Sequence, residues 1–159
     1  MASTYEPIAT TTLGSTQTSV TFNSFSGYTD LFLVASVSSS SGSGGVASLR
    51  FNGDSGTNYS ATYMYGTGST AASGRESNMN VMSGGDFPAS GTFSVNQYHI
   101  QNYANTNTNK TVLMRHSTNG VTVASVGLWR STSAITSLTL SSGGYATGST
   151  FTLYGIKSA

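Results

Sequence analysis

Three short apolar runs constrain the fold of this chain more than any other stretch. They cover residues 111–116, 121–130 and 135–140, and short polar segments separate them. Asn119-Gly120 lies between the first two runs, and both residues tolerate the positive φ that tight hairpins require. The pattern therefore predicts three consecutive antiparallel strands. Because these runs hold the densest apolar material in the chain, including its only tryptophan, Trp129, we expect them at the centre of one sheet.

The remainder of the chain also has the pattern of an all-β protein. Apolar and polar residues alternate through 16–25, 59–65 and 92–100, which indicates half-buried strands. The nearly continuous apolar run at 30–37 is typical of a strand buried on both faces, whereas 83–91, with Pro88, predicts a loop. No segment sustains a helical periodicity. About ten strands are predicted, which favours an all-β, two-sheet antiparallel sandwich with a jelly-roll-like arrangement.

Length and charge narrow the classes of protein further. A chain of 159 residues without cysteine fits a single β-sandwich domain over 1–159 that needs no disulfide. Charged residues make up 7% of the chain, where about 25% is ordinary. The six basic residues are scattered and the net charge is +1, so we expect neither a nucleic-acid nor a membrane partner. So few charges give little protection against association, which leaves open either contact with other subunits or a merely neutral β domain.

The first seven residues contain neither the basic region nor the apolar core of a secretory signal. No apolar run approaches the about 20 residues that span a bilayer. We expect a protein that is made in a cytoplasm and is not exported by the general secretory route.

One short motif resembles the nucleophile turn of chymotrypsin-type proteases, namely Gly53-Asp54-Ser55-Gly56. That chemistry needs a histidine base before the serine in the chain, but both histidines follow it. The same loop has oxygen ligands at alternate positions, as calcium loops do. It lacks the closing glutamate of an EF-hand, because Tyr63 stands there. A turn between two strands is the simpler interpretation.

Other chemistry is weakly represented. His99 and His116 lack a clear third metal ligand, and the G-x-G-x-x-A pattern at 66–71 is not followed by a helix. The few carboxylates are far apart in sequence, although folding could pair two of them as in a glycosidase. We therefore expect no enzymatic activity, no catalytic residue, no cofactor and no metal.

Two segments are candidates for binding. In the alternating strand 59–65, three tyrosines share one face and could form a sugar-stacking platform, although cross-strand packing within a sheet is the simpler explanation. They are Tyr59, Tyr63 and Tyr65. The N-terminal segment could dock a partner as an exposed edge strand, or could simply pair within its own sheet. It consists of Thr4, Tyr5, Glu6 and Pro7.

Several blocks resemble a group of small virion proteins of tailed bacteriophages, frequent among aquatic phages including cyanophages. The resemblance covers nearly the whole chain, and its motifs are structural ones that name no reaction. They lie at 3–15 (STYEPIATTTLGS), 51–54 (FNGD), 58–60 (NYS), 127–132 (GLWRST) and 148–156 (GSTFTLYGI).

This resemblance implies a jelly-roll-like, non-enzymatic structural protein of the phage particle. The favoured position is on the capsid exterior, as a decoration (cement) protein that forms a trimer and stabilises the lattice of the major capsid protein. The alternative is a tail-associated domain that binds a host receptor or glycan. In either case the protein is synthesised in the cytoplasm of the bacterial host and resides in the virion.

Overall fold

The computed structural model describes residues 4–157, which form strands and connecting turns and contain no helix. Residues 1–3, on which the signal-sequence prediction partly rests, and residues 158–159 lie outside the described part. The strands are β1 (Tyr5–Thr12), β2 (Gln17–Asn23), β3 (Asp30–Val37), β4 (Gly45–Phe51), β5 (Tyr59–Gly66), β6 (Ala71–Met79), β7 (Met82–Phe87), β8 (Ser94–Ile100), β9 (Lys110–Ser117), β10 (Thr122–Trp129), β11 (Ser137–Tyr145) and β12 (Thr150–Ile156).

The strands form a sandwich of two antiparallel sheets of unequal width. The large sheet has eight strands in the order β1-β12-β3-β8-β9-β10-β5-β6, and the small sheet has four in the order β2-β11-β4-β7. The chain crosses between the sheets repeatedly, as in a jelly roll. The predicted fold class, an all-β two-sheet antiparallel sandwich with jelly-roll-like character, is confirmed, with twelve strands in place of about ten.

The core lies between the two sheets, where alternate residues of each strand point inward. Leu31 and Leu33 of β3 and Leu138 of β11 belong to one continuous buried cluster. At one end of this cluster the Trp129 ring packs against Phe51 of the small sheet, with ring centroids 5.5 Å apart. Each such buried side chain contributes roughly 1.5–3 kcal/mol, so apolar alternation on both sheets accounts for a stable core without disulfides.

The third predicted central strand lies in the other sheet, so that prediction was wrong. β9 and β10 are neighbours inside the large sheet, but β11 is an inner strand of the small sheet. Ile135 precedes β11 in a loop, where its N–H donates to the Tyr103 carbonyl at 2.9 Å. The Asn52 side-chain oxygen accepts from the N–H groups of Thr136 and Ser137. These bonds hold the chain where it passes from β10 of the large sheet to β11 of the small sheet.

The Asn119-Gly120 hairpin is confirmed, but not for the predicted reason. β9 and β10 pair up to Ser117 and Thr122, and the Thr118 N–H donates to the Val121 carbonyl at 2.9 Å. Neither Asn119 nor Gly120 is among the residues with positive φ. Turn-forming residues therefore marked the position of the hairpin correctly without revealing its backbone conformation.

Two further predictions, for β3 and for residues 83–91, differ from the structure. β3 is fully buried on one face only, since Phe32 and Val34 on the opposite face are half-buried. The predicted loop at 83–91 contains β7, an edge strand of the small sheet. Its pairing with β4 shifts register opposite Ala47 and Ser48, where Gly85 has φ of 111°. That bulge interrupts the alternation by which strands are recognised.

Candidate functional site

The outer face of the large sheet, which points away from the small sheet, is apolar across its centre. Phe32, His99, Leu113 and Val126 lie directly opposite one another on four neighbouring strands. Leu113 is 56% exposed and Val126 is 50% exposed. The exposed face of a sandwich sheet is ordinarily polar, so this row of side chains distinguishes the outer face from an ordinary solvated surface.

The apolar row extends in both directions along the outer face. Met64 of β5 is 66% exposed and Val95 of β8 is 47% exposed. Tyr5 of β1 packs edge-on against Phe32, with ring centroids 6.1 Å apart. A shallow depression of about 330 Å³ lies between Phe32 and Ala124. Within residues 4–157, no other element packs over this face.

The polar groups of the outer face are paired with one another. His99 Nε2 lies 3.2 Å from Asp30 Oδ2, and Arg115 Nε donates to Gln97 Oε1. These polar atoms are therefore already hydrogen-bonded within the sheet.

The predicted docking segment lies at the edge of the large sheet, beside the outer face. β1 pairs with β12 only, so one side of the segment is paired within its own sheet and the other forms the rim. The Thr4 carbonyl accepts from the Lys157 N–H at 3.1 Å, and Lys157 Nζ lies 2.8 Å from Glu6 Oε2. Pro7 within β1 is consistent with an edge position.

A cleft opens between the sheets because the large sheet is wider than the small one. It lies between β7, at the edge of the small sheet, and the inner faces of β5, β6 and β10, and has a volume of about 400 Å³. Its aromatic wall consists of Tyr63 and Tyr65, whose ring centroids are 6.4 Å apart with the planes tilted by 37°. Both rings are only half-buried, so their faces are accessible from the cleft.

The polar groups of the cleft described next come from three different strands, β6, β7 and β9. The Asp86 N–H donates to His116 Nδ1 at 2.9 Å, which places the imidazole proton on Nε2. Burial lowers the pKa of His116, against the opposing effect of the Asp86 carboxylate, so the ring is neutral near pH 7. Ser83 Oγ donates to Glu76 Oε2 at 2.5 Å. This last bond ties the edge strands of the two sheets together across the cleft.

Two glycines position the ring side chains of the cleft. A Cβ on Gly74 would lie 2.6 Å from the Tyr63 ring, and one on Gly85 would lie 2.6 Å from the His116 ring. Each ring therefore rests directly on glycine backbone, which larger residues would exclude. The sequence offered no sign of this arrangement, and Gly85 stands in the segment 83–91 that was predicted as a loop.

Tyr59 does not belong to an accessible tyrosine face, so that part of the prediction was wrong. It is fully buried and stacks on Trp129, and its Oη accepts from the Phe51 N–H at 3.1 Å. β5 starts beneath the small sheet and extends beyond it. Consequently Tyr59 lies in the core, whereas Tyr63 and Tyr65, on the same side of the strand, line the cleft.

The loop that resembles a nucleophile turn has a structural arrangement around Asp54. Asp54 Oδ2 accepts from Trp129 Nε1 at 2.7 Å and from Asn58 Nδ2 at 2.9 Å, and Oδ1 accepts from the Gly56 N–H at 2.8 Å. The bonds from Trp129 and then Asn58 lower the pKa of Asp54. Neither histidine is hydrogen-bonded to this loop, since His99 pairs with Asp30 and His116 with Asp86.

Two observations on metal ligands and on helices apply to residues 4–157. No group of three or more histidine, aspartate or glutamate side chains is arranged to hold a metal ion. No helix is long and apolar enough to cross a membrane.

Comparison with known proteins identifies the fold but no family. No family model and no curated protein matches the chain. Among solved structures, exo-inulinase from Aspergillus awamori is similar over 96% of this chain, with a TM-score of 0.51 and 15% identity, and this chain spans 29% of the exo-inulinase. A galectin of Caenorhabditis elegans has a TM-score of 0.40 and 13% identity over 90% of this chain and 94% of its own. The alginate lyase Aly36B has a TM-score of 0.40 and 11% identity, and the similarity covers 92% of this chain and 77% of the lyase. At 15% identity the likeness to the exo-inulinase shows the fold alone, a β-sandwich.

Proposed function

We propose that the protein is a non-enzymatic structural protein of a tailed-phage particle, and that it decorates the capsid by docking its outer face on the major capsid protein. The sequence blocks described above support the phage assignment. The apolar outer face of the large sheet, centred on Leu113 and Val126, carries the docking proposal. It offers a broad and mainly apolar surface to a partner.

The size of the outer face agrees with a stable protein–protein contact. Eight strands at about 4.8 Å spacing span about 34 Å, and seven residues of strand run about 23 Å. The product, roughly 800 Å², equals about what each partner buries in an interface of standard size. A contact of this kind would be maintained chiefly by the hydrophobic effect and would depend little on ionic strength.

The proposed assembly is a trimer seated over capsid subunits on the exterior of the particle. Clamping neighbouring subunits through non-covalent contacts would offset the outward pressure of the packaged genome. The net charge of +1 favours such association because repulsion between copies is small. The alternative position, a tail-associated domain for receptor or glycan binding, has its support in the cleft.

The docking proposal is tested with a double variant of the outer face. Leu113→Glu with Val126→Glu places two charges at the centre of the apolar row, and we expect binding to capsids that lack the protein to fall at least tenfold in a cosedimentation assay. Ser19→Glu is the matched control, because Ser19 is exposed on the outward side of β2 in the small sheet. Undiminished capsid binding by the double variant would show that another surface docks.

The position on the particle is tested separately by immunogold electron microscopy of purified virions. Gold distributed over the head is the expected result. Gold confined to the tail would contradict decoration and favour host recognition. If the protein clamps the capsid, particles stripped of it should also lose infectivity at a lower temperature than complete particles do.

A further inference from the structure

We infer that the cleft between β7 and the inner faces of β5 and β10 binds an uncharged saccharide. The inference is independent of the outer face, which lies on the opposite side of the large sheet. It concerns a short segment of glycan built from neutral hexose or N-acetylhexosamine units.

The aromatic wall has the properties that a pyranose ring requires. A pyranose presents C–H groups on its ring faces, and these carry the partial positive charge that an aromatic face attracts. The Tyr63 and Tyr65 rings, tilted by 37°, form a concave corner instead of a flat stack. Within residues 4–157 neither phenol oxygen has a hydrogen-bond partner, so both are available to sugar hydroxyls.

The opposite wall supplies groups that recognise hydroxyls. The carboxylates of Asp86 and Glu76 are acceptors, and Nε2 of His116 is the donor because its Nδ1 accepts from the Asp86 backbone. Acceptors and a donor face an apolar corner, which is the usual composition of a small-molecule site. The volume of about 400 Å³ lies within the range of about 300–1,000 Å³ that such sites occupy.

The charges of the cleft determine which saccharides it accepts. Two carboxylates line it, and no lysine or arginine does. A uronate, sialate or sulfate group would be repelled and would find no cation to neutralise it. Neutral sugars avoid this cost and still offer hydroxyl hydrogens to Asp86 and Glu76.

The test is binding of the wild-type protein to an array of defined glycans. The array contains glucose-, galactose-, mannose- and N-acetylglucosamine-terminated glycans beside sialylated, sulfated and uronate-containing ones. We expect saturable binding to one or more neutral glycans and none to the acidic group. Absence of binding to every neutral glycan, or a preference for acidic ones, would overturn the inference.

Variants then locate the site for the strongest neutral glycan by calorimetry. Tyr65→Ala and Asp86→Asn should each raise Kd at least tenfold, with Tm used to confirm that both variants fold. Leu113→Glu on the outer face should leave Kd unchanged, which separates this inference from the docking proposal. Binding that survives both cleft substitutions would refute the assignment. Release of new reducing ends would also refute it as a site of binding alone, because it would show hydrolysis by the two carboxylates.

Discussion

Replacing Asp54 should destabilise the fold although the residue lies in a turn. Its carboxylate receives hydrogen bonds from Trp129 Nε1, Asn58 Nδ2 and the Gly56 N–H, all at 2.7–2.9 Å. In Asp54→Ala the donors of Gly56 and Asn58 can turn to water, since Gly56 is exposed and Asn58 is half-buried. The Trp129 donor cannot do so as readily, because Trp129 is 2% exposed.

The expected magnitude follows from that difference. A hydrogen bond to a charged group contributes about 1.5–3 kcal/mol, and a buried donor left without an acceptor costs about 1–3 kcal/mol. Because the three bonds share one carboxylate they are not additive, and we expect Asp54→Ala to lower the free energy of unfolding by about 2–3 kcal/mol. For a chain of this size that corresponds to a fall in Tm of roughly 4–12 °C.

Urea denaturation followed by tryptophan fluorescence measures this free energy directly. Ser55→Ala is the matched control, an exposed neighbour in the same turn, and should change stability by less than about 0.5 kcal/mol. A double-mutant cycle with Trp129→Phe, followed by circular dichroism, should give a coupling of about 1–2 kcal/mol. If Asp54→Ala unfolds at the wild-type urea concentration, the carboxylate does not anchor Trp129 and the reasoning fails.

Two further predictions concern acid stability and core packing. The folded state lowers the pKa of Asp54. The stability that its carboxylate contributes is therefore complete above the unfolded pKa of about 3.9 and is lost as pH falls through the folded pKa. Asp54→Asn should flatten the loss of stability below about pH 4, and an unchanged pH profile would contradict this. In Gly127→Ala the new Cβ would lie 2.1 Å from Met82 Sδ in the core, which should cost about 1–3 kcal/mol. Gly120→Ala, with nothing within 4 Å, should be nearly neutral by thermal denaturation, and equal Tm values for the two variants would refute the packing argument.

Much of the fold could be predicted because the side-chain alternation of a strand is a local property. The apolar runs at 111–116 and 121–130 identified β9 and β10 as neighbouring strands joined at Asn119-Gly120. The partner sheet of β11 was not evident, since apolar alternation is the same whichever sheet a strand joins. The continuous apolar run of β3 was interpreted as burial on both faces, but in the structure one face of the strand lies in the core and the other forms part of the half-buried outer face.

The candidate site was predictable only in part. Tyr63 and Tyr65 were identified, together with Tyr59, as one face of tyrosines because the three alternate along one strand. Their separation from Tyr59 depends on where the small sheet ends, which no spacing within β5 reveals. Glu76, Asp86 and His116 were known only as widely separated polar residues, and β7 was missed because a bulge at Gly85 breaks its alternation.

The sequence by itself determined the all-β class, most of the strands, the hairpin at Asn119-Gly120 and the sparsely charged surface. These depend on residue type and on contacts between near neighbours in the chain. The tertiary structure alone decided which strands share a sheet, that the large sheet extends past the small one, and that a cleft forms there. Those outcomes depend on long-range strand pairing, whose geometry is set by the whole sandwich and not by any one segment.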